Sequence, residues 1–124
     1  MRRFSPLVAL AALVASGCFS DKPAPVEPGA PTTNAVTASS TANTFTPQTV
    51  NVLAGGTVTW TFGTRPHNVT FVQSAGAPQT IPTTTNASAA RTFATPGTYA
   101  YACTLHAGMV GTVNVIATPA PPTR

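Results

Sequence analysis

Apolar and polar residues alternate along most of the chain after residue 48. Val50 and Val52 alternate with polar neighbours, and after Gly55-Gly56 the segment Thr57–Phe62 is apolar at every second position. This period of two predicts strands that bury one face and expose the other. The same alternation recurs in three later segments, at Val69 and Phe71, at Tyr99 and Tyr101, and at Val113 and Val115.

Turn-forming residues separate the predicted strands, at Gly55-Gly56, residues 63–66, Pro96-Gly97, Gly108 and Gly111. Many short strands with such spacing, and no sustained helical period, indicate an all-β protein. We predict a Greek-key β-sandwich or barrel of about seven to eight strands. Residues 73–86 carry little pattern, and we expect them to form a long irregular connection.

Large aromatic side chains at the alternating positions are expected to form the core. They are Trp60, Phe62, Phe71 and Phe93. We interpret Tyr99 and Tyr101 as core residues as well. A domain this small buries only a modest core. Because Cys103 is the one cysteine of the predicted domain, no disulfide can reinforce it, and a bound metal is the remaining stabiliser.

The N-terminal residues predict export. A positive Met1-Arg2-Arg3 precedes an apolar run over residues 7–14, which is shorter than the roughly 20 residues of a membrane-spanning helix. We interpret residues 1–17 as a signal peptide. Ala15-Ser16-Gly17-Cys18 resembles the lipobox of bacterial lipoproteins, which implies a lipid on Cys18 and a protein anchored in the periplasm or at the outer surface. An ordinary cleavage site beside an incidental Cys is the alternative.

Proline content divides the rest of the chain. Residues 18–33 hold Cys18 and four prolines, a composition typical of an extended linker in the polyproline II conformation. Residues 34–117 are predicted to be the folded domain. Residues 118–124 form a Pro-rich tail that cannot continue a strand.

The charged residues exclude several classes of function. Residues 34–124 contain three Arg and neither Asp nor Glu. A glycosidase with a carboxylate pair, a Ser-His-Asp hydrolase and an oxygen-ligated Ca²⁺ or Mg²⁺ site all need carboxylates, so none of them fits. The basic residues do not cluster, and we expect no binding to nucleic acid.

One short segment concentrates the remaining chemistry. Cys103, His106 and Met109 recur at three-residue spacing between two predicted strands, and His67 begins an earlier strand whose end can meet the same pole of a sandwich. Taken singly, Cys103 would be an inert buried thiol and Met109 an apolar loop residue. The two histidines would be ordinary surface or core residues. Together, one thiolate, two imidazoles and a thioether suit copper, whereas a thioether is a poor ligand for zinc. We therefore predict a copper site.

Residues 45–116 resemble the cupredoxins, the small blue copper proteins that include plastocyanin, pseudoazurin and amicyanin. The resemblance rests on residues 55–60, on His67-Asn68-Val69, and on the run Gly-x-Tyr-x-Tyr-x-Cys-x2-His-x2-Met that starts at Gly97. The sequence differs from many family members at Leu105, where they have Pro. The short His-to-Met spacing is closer to that of amicyanin than to that of plastocyanin.

The resemblance implies the role of each residue in the segment. His67, Cys103 and His106 would be the equatorial copper ligands, and Met109 the axial ligand. A hydrogen bond from Asn68 to the ligand loop near Thr104 would support the orientation of the ligands. His106 would be the edge through which the electron leaves, with Leu105, Ala107 and Gly108 as an apolar docking patch.

The implied function is one-electron transfer by a single Cu(I)/Cu(II) ion, without enzyme activity. The partners would be redox proteins, such as a cytochrome, an oxidase or a reductase, and the membrane would be touched only through the lipid anchor. A copper-binding protein for delivery or buffering, without redox turnover, is the alternative. A metal-free adhesion or structural sandwich is a third interpretation.

Overall fold

A computed structural model describes residues 34–123. The predicted signal peptide, the predicted lipidation site Cys18 and the linker lie outside the described residues. Within them, no helix is both long and apolar enough to cross a membrane. The described chain forms nine strands: β1 (Ala35–Ala38), β2 (Phe45–Thr46), β3 (Thr49–Leu53), β4 (Gly56–Phe62), β5 (His67–Phe71), β6 (Ile81–Thr84), β7 (Ala87–Phe93), β8 (Gly97–Ala102) and β9 (Val110–Ile116).

The strands form two facing sheets, in the orders β2-β1-β4-β7 and β3-β9-β8-β5-β6. The β1–β4 and β3–β9 pairs are parallel and the other pairs are antiparallel. The predicted all-β sandwich is therefore confirmed. Its strands number nine rather than seven or eight, because β2 has only two residues and β6 lies where no strand was expected.

The prediction of an irregular connection over residues 73–86 is wrong at strand β6, which forms within it. Ile81 is fully buried, but Pro82 and Thr83 beside it are exposed. One apolar residue is too few to produce an alternating pattern, and Pro is tolerated here because β6 is the edge strand of its sheet. The irregular part of the connection covers residues 72–80.

The core lies between the sheets, as the alternating pattern predicts. The indole of Trp60 packs edge-on against Phe71 and Tyr101, with ring centroids 5.9 Å and 5.4 Å apart. Phe62 and Phe93 are also buried. Edge-to-face aromatic packing of this kind adds to the free energy that burial alone supplies.

Arg91 ties strand β7 to the connection before β6. Its Nε donates to the carbonyl of Gln79 at 2.7 Å and its Nη2 to the carbonyl of Thr80 at 2.9 Å, while Nη1 donates to Ala90 at 2.7 Å. The guanidinium fork thus holds an otherwise irregular segment against the edge of the other sheet. Neutral carbonyls, not carboxylates, accept all three hydrogen bonds.

The centre of the core contains two polar atoms that no described residue satisfies. The hydroxyl of Tyr101 and the indole N–H of Trp60 are buried without a hydrogen-bond partner among residues 34–123. The Tyr101 ring lies directly over Gly111 of β9, where a Cβ would collide with it. Burial raises the pKa of Tyr101 to about 12, and the neighbouring Trp60 indole offsets only part of this effect.

We predict that the raised pKa makes stability fall in alkali. The unfolded chain loses the Tyr101 proton near the ordinary pKa of 10.0, whereas the folded protein keeps it up to about 12. The free energy of unfolding should therefore be unaffected below the lower value and decrease by about 1.4 kcal/mol per pH unit between the two. Urea denaturation at a series of pH values measures this slope.

The matched variant for this prediction is Tyr101→Phe, which keeps the ring and removes the hydroxyl. It should unfold with a flatter pH dependence in the same window, and it should be no less stable at neutral pH because it removes an unsatisfied polar atom. Equal alkaline slopes for the two proteins would contradict the prediction.

Candidate metal centre

Neighbouring strand ends bring the predicted ligands together. Strands β5 and β8 pair antiparallel with Thr70 opposite Ala102, so the start of β5 lies beside the end of β8. His67 is the first residue of β5, and Cys103 directly follows β8. Pro66, which lacks a backbone N–H and favours an extended residue before it, precedes the strand and fixes how the chain enters it.

Three potential ligand atoms converge at this pole of the sandwich. The Nδ1 atoms of His67 and His106 are 3.1 Å apart. The Sγ of Cys103 lies 3.8 Å from Nδ1 of His67 and 3.5 Å from Nδ1 of His106. His67 and Cys103 are buried, whereas His106 is half-buried and reaches the surface.

These separations fit one metal ion in a trigonal site. Bonds of about 2.0 Å to nitrogen and about 2.3 Å to sulfur, spread about 120° apart, would place the three donor atoms about 3.5–3.7 Å from one another. The two S–N distances of 3.8 Å and 3.5 Å lie close to that range, and the N–N distance of 3.1 Å is somewhat shorter. Two imidazoles and one thiolate in this arrangement are the equatorial set of a blue copper site.

A backbone carbonyl determines which nitrogen of His67 faces the centre. The Nε2 of His67 lies 2.8 Å from the carbonyl oxygen of Ser39, just after β1. Since a carbonyl can only accept, Nε2 carries the hydrogen and Nδ1 presents its lone pair toward Cys103. Sequence reasoning missed Ser39, because any residue at that position supplies the same carbonyl and no side-chain signal marks it.

Residues 32–116 match the family described as copper binding proteins, plastocyanin/azurin family. The chain belongs to this family. The match covers both sheets and all four predicted ligands, and so includes the convergent donor atoms. The expected resemblance to small blue copper proteins is confirmed.

Several relatives agree with this membership. The plastocyanin of Prochlorothrix hollandica is 34% identical over 125 residues, which span 92% of this chain and 93% of that protein. A solved mutant plastocyanin of a fern is 31% identical, with a TM-score of 0.59 over 66% of this chain and 99% of its own. A mutant amicyanin in its reduced Cu(I) form is 31% identical, with a TM-score of 0.57 over 66% of this chain and 80% of its own.

The fourth ligand of this plastocyanin-like site is Met109. Its side chain is buried at the end of the ligand loop, and the loop is closed by backbone hydrogen bonds from Cys103 N to Met109 O at 2.9 Å and from Met109 N to His106 O at 3.2 Å. Gly108 has a φ of 78°, which glycine adopts without strain. The loop therefore holds its three ligand residues by short-range contacts.

The chain thus carries a type 1 copper site of His67, Cys103, His106 and Met109. Copper is the predicted cofactor, and the comparisons bear that prediction out. The protein is a small electron carrier of the plastocyanin and amicyanin kind and not an enzyme.

A pair of hydrogen bonds connects Asn68 to the ligand loop. Asn68 Nδ2 donates to Thr104 Oγ1 at 2.7 Å, and Thr104 N donates to Asn68 Oδ1 at 2.8 Å. Asn68 follows one ligand in the sequence, and Thr104 follows another. The pair links the two chain segments that carry His67 and Cys103, at the position that the family resemblance implies.

Arg65 is a neighbour of the site that sequence reasoning missed. Its Nε lies 3.3 Å from Nε2 of His106, the nitrogen that points away from Cys103, and donates to it. Desolvation lowers the pKa of His106, and the positive charge of Arg65 lowers it further. A lone Arg two residues before a His carries no recognisable motif, so only the folded loop could reveal the contact.

We predict that Asn68→Ala weakens the frame of the site. The change removes both hydrogen bonds between Asn68 and Thr104, and the free energy of unfolding should fall by about 1–3 kcal/mol. Denaturant unfolding of the copper-loaded protein, followed by its colour, measures the loss.

Thr104→Val is the matched control for this variant. It removes the hydroxyl acceptor but leaves the bond from Thr104 N to Asn68 Oδ1 in place, so it should cost clearly less than Asn68→Ala. An Asn68→Ala protein as stable as the wild type would show that the pair does not hold the loop.

Proposed function

We propose that this protein carries single electrons between redox proteins of the cell envelope, and that the electrons pass through His106. One observation carries the proposal: of the three converging ligands, only His106 reaches the surface, while His67 and Cys103 are buried. Copper bound there supplies the one-electron couple Cu(I)/Cu(II).

The protein itself supplies a frame that fixes the ligands. The Ser39 carbonyl fixes the His67 ring, and the Asn68–Thr104 pair fixes the loop that starts at Cys103. Because these contacts hold the ligands in place, little rearrangement is needed when the charge of the site changes. A small rearrangement is what fast electron exchange requires.

The exposed residues that flank His106 in the ligand loop are mostly apolar and suit a transient contact. Leu105 is 49% exposed and Val110 46% exposed, and Ala107 and Gly108 between them are also exposed. Leu105, Ala107 and Gly108 are the predicted docking patch, and we extend it to the exposed Val110. A partner that covers these side chains would bring its own redox centre close to the His106 ring.

The first test is spectroscopic. The mature chain loaded with Cu(II) should show an intense thiolate-to-copper absorption band in the visible range and narrow copper hyperfine splitting in its EPR spectrum. Both features should be lost in Cys103→Ser, because the thiolate is the source of the band. Ser88→Ala, a change on the exposed face of β7, should leave both features intact. A weakly coloured wild type with ordinary Cu(II) splitting would contradict a type 1 site.

Retention of copper during redox cycles distinguishes electron transfer from copper delivery without redox turnover. A carrier should retain its copper through repeated oxidation and reduction, and a delivery protein should lose it to an apo acceptor protein during the same cycles. Metal content after gel filtration distinguishes the two functions.

A lipid on Cys18 would hold the domain at a membrane. Residues 19–33, with four prolines, would extend about 3.1 Å per residue as polyproline II and would hold the domain away from the bilayer. The apolar run before Ala15-Ser16-Gly17-Cys18 supports this placement in the periplasm or at the outer surface.

We predict that Cys18→Ser releases the protein from the membrane. Without the thiol no acyl chain can be attached, and the protein should move from the membrane fraction to the soluble envelope fraction. Fractionation with an antibody against the domain measures the shift, and Ser20→Ala, in the same segment, is the control. A Cys18→Ser protein that stays with the membrane would disprove the lipid anchor.

A further inference from the structure

Arg65 places a positive charge at the one ligand that reaches the surface. Its side chain is half-buried in the turn between β4 and β5, and its Nε lies 3.3 Å from Nε2 of His106. The exposed apolar residues Leu105 and Val110 belong to the same ligand loop and the strand that follows it. The segment that carries the exit ligand therefore exposes apolar side chains, and one cation contacts that ligand.

No carboxylate of the domain can neutralise this charge. Residues 34–124 contain neither Asp nor Glu, so Arg65 has no acidic partner there. Arg91 differs, because three backbone carbonyls accept its hydrogen bonds. Among the residues that the structure describes, no acidic side chain can pair with this half-buried guanidinium. A cation in that position favours a complementary anion brought by another molecule.

The contact between Arg65 and His106 also favours an anion from another molecule. A His106 ring that binds copper through Nδ1 carries its hydrogen on Nε2, so Nε2–H and the guanidinium of Arg65 then both donate. This tautomer replaces the hydrogen bond from Arg65 to Nε2 by two neighbouring donors, and a carboxylate can accept from both at once.

We propose that Arg65 selects the partner, and that this partner is a redox protein with a carboxylate set in an apolar contact surface opposite His106. The inference rests on the proposed electron exchange at His106 and adds the chemical class of the partner. The carboxylate would meet Arg65, and the apolar side chains around it would cover Leu105 and Val110. Arg65 is thus a specificity-determining residue and not a copper ligand.

The effect of the Arg65 charge on electron transfer is tested with two small oxidants of opposite charge. The reduced, copper-loaded protein is mixed in a stopped-flow instrument with anionic hexacyanoferrate(III) or with the tris(phenanthroline)cobalt(III) cation, each of which takes one electron from Cu(I). The ratio of the two rate constants is compared between variants. In this ratio, a change in the copper potential largely cancels.

Arg65→Gln and Arg91→Gln make a matched pair, since each removes one positive charge. Arg91 lies opposite Val58 in the β4–β7 pair, whereas Phe62 and Ala87 form the pair nearest the copper end. The four-residue step between these pairs spans roughly 13 Å along the strand. At an ionic strength of about 0.1 M, Arg65→Gln should lower the anion-to-cation ratio about tenfold, and Arg91→Gln less than about twofold. Equal effects of the two changes would overturn the role of Arg65.

The partner class is tested with two small cytochromes, one with an acidic and one with a basic surface around its haem edge. The wild type should react faster with the acidic cytochrome, and Arg65→Gln should lose about fivefold or more of that preference. In the Cu(I) protein, the ¹⁵N-detected Nε–H resonance of Arg65 should shift on addition of the acidic cytochrome only.

The outcomes separate this inference from the function on which it rests. A wild type that exchanges electrons with neither oxidant would contradict the carrier function. A wild type that reacts with both, but prefers the basic cytochrome or keeps its preference in Arg65→Gln, would overturn the acidic partner alone. Arg65-dependent binding to vesicles of anionic phospholipid, without an effect on either rate ratio, would also overturn it and assign the surface to a membrane.

Discussion

The hydrogen bond from His67 to the carbonyl of Ser39 is the constraint on which the copper site depends. It connects a ligand of one sheet to the end of β1 in the other, so the two sheets must be correctly packed before the ring is oriented. The lone pair of Nδ1 then faces Cys103. Misalignment of the sandwich would turn that ring away, and the ligand loop alone could not compensate. Fold and cofactor binding are coupled in this way.

Much of the fold could be predicted from the sequence, because burial on one face of a strand leaves a visible period. Trp60, Phe71 and Val113 all occupy alternating positions and all are buried. Strand β6 escaped prediction for the same reason, since Ile81 is its one fully buried side chain among polar and proline residues. Edge strands contribute hydrogen bonds more than apolar area, and their sequences show little pattern.

The site could be predicted to the extent that its chemistry resides in side chains. Cys103, His106 and Met109 have a spacing that few other structures need, and His67 completes a donor set with one suitable metal. Ser39 and Arg65 could not be found in this way. Ser39 acts through its backbone, and Arg65 approaches His106 across 41 residues of sequence. Contacts of these two kinds depend on the folded arrangement of turns.

The anchoring of Arg91 has a consequence for the response of the fold to acid. Proteins commonly unfold in acid because carboxylates that are paired in the native state become protonated. Here the fork of Arg91 holds backbone carbonyls, which do not titrate, and residues 34–123 contain no acidic side chain. Acid therefore removes none of the contacts that join β7 to the segment before β6. The β7 edge of the scaffold therefore keeps its anchoring in acid, where proteins that rely on carboxylate pairs lose theirs.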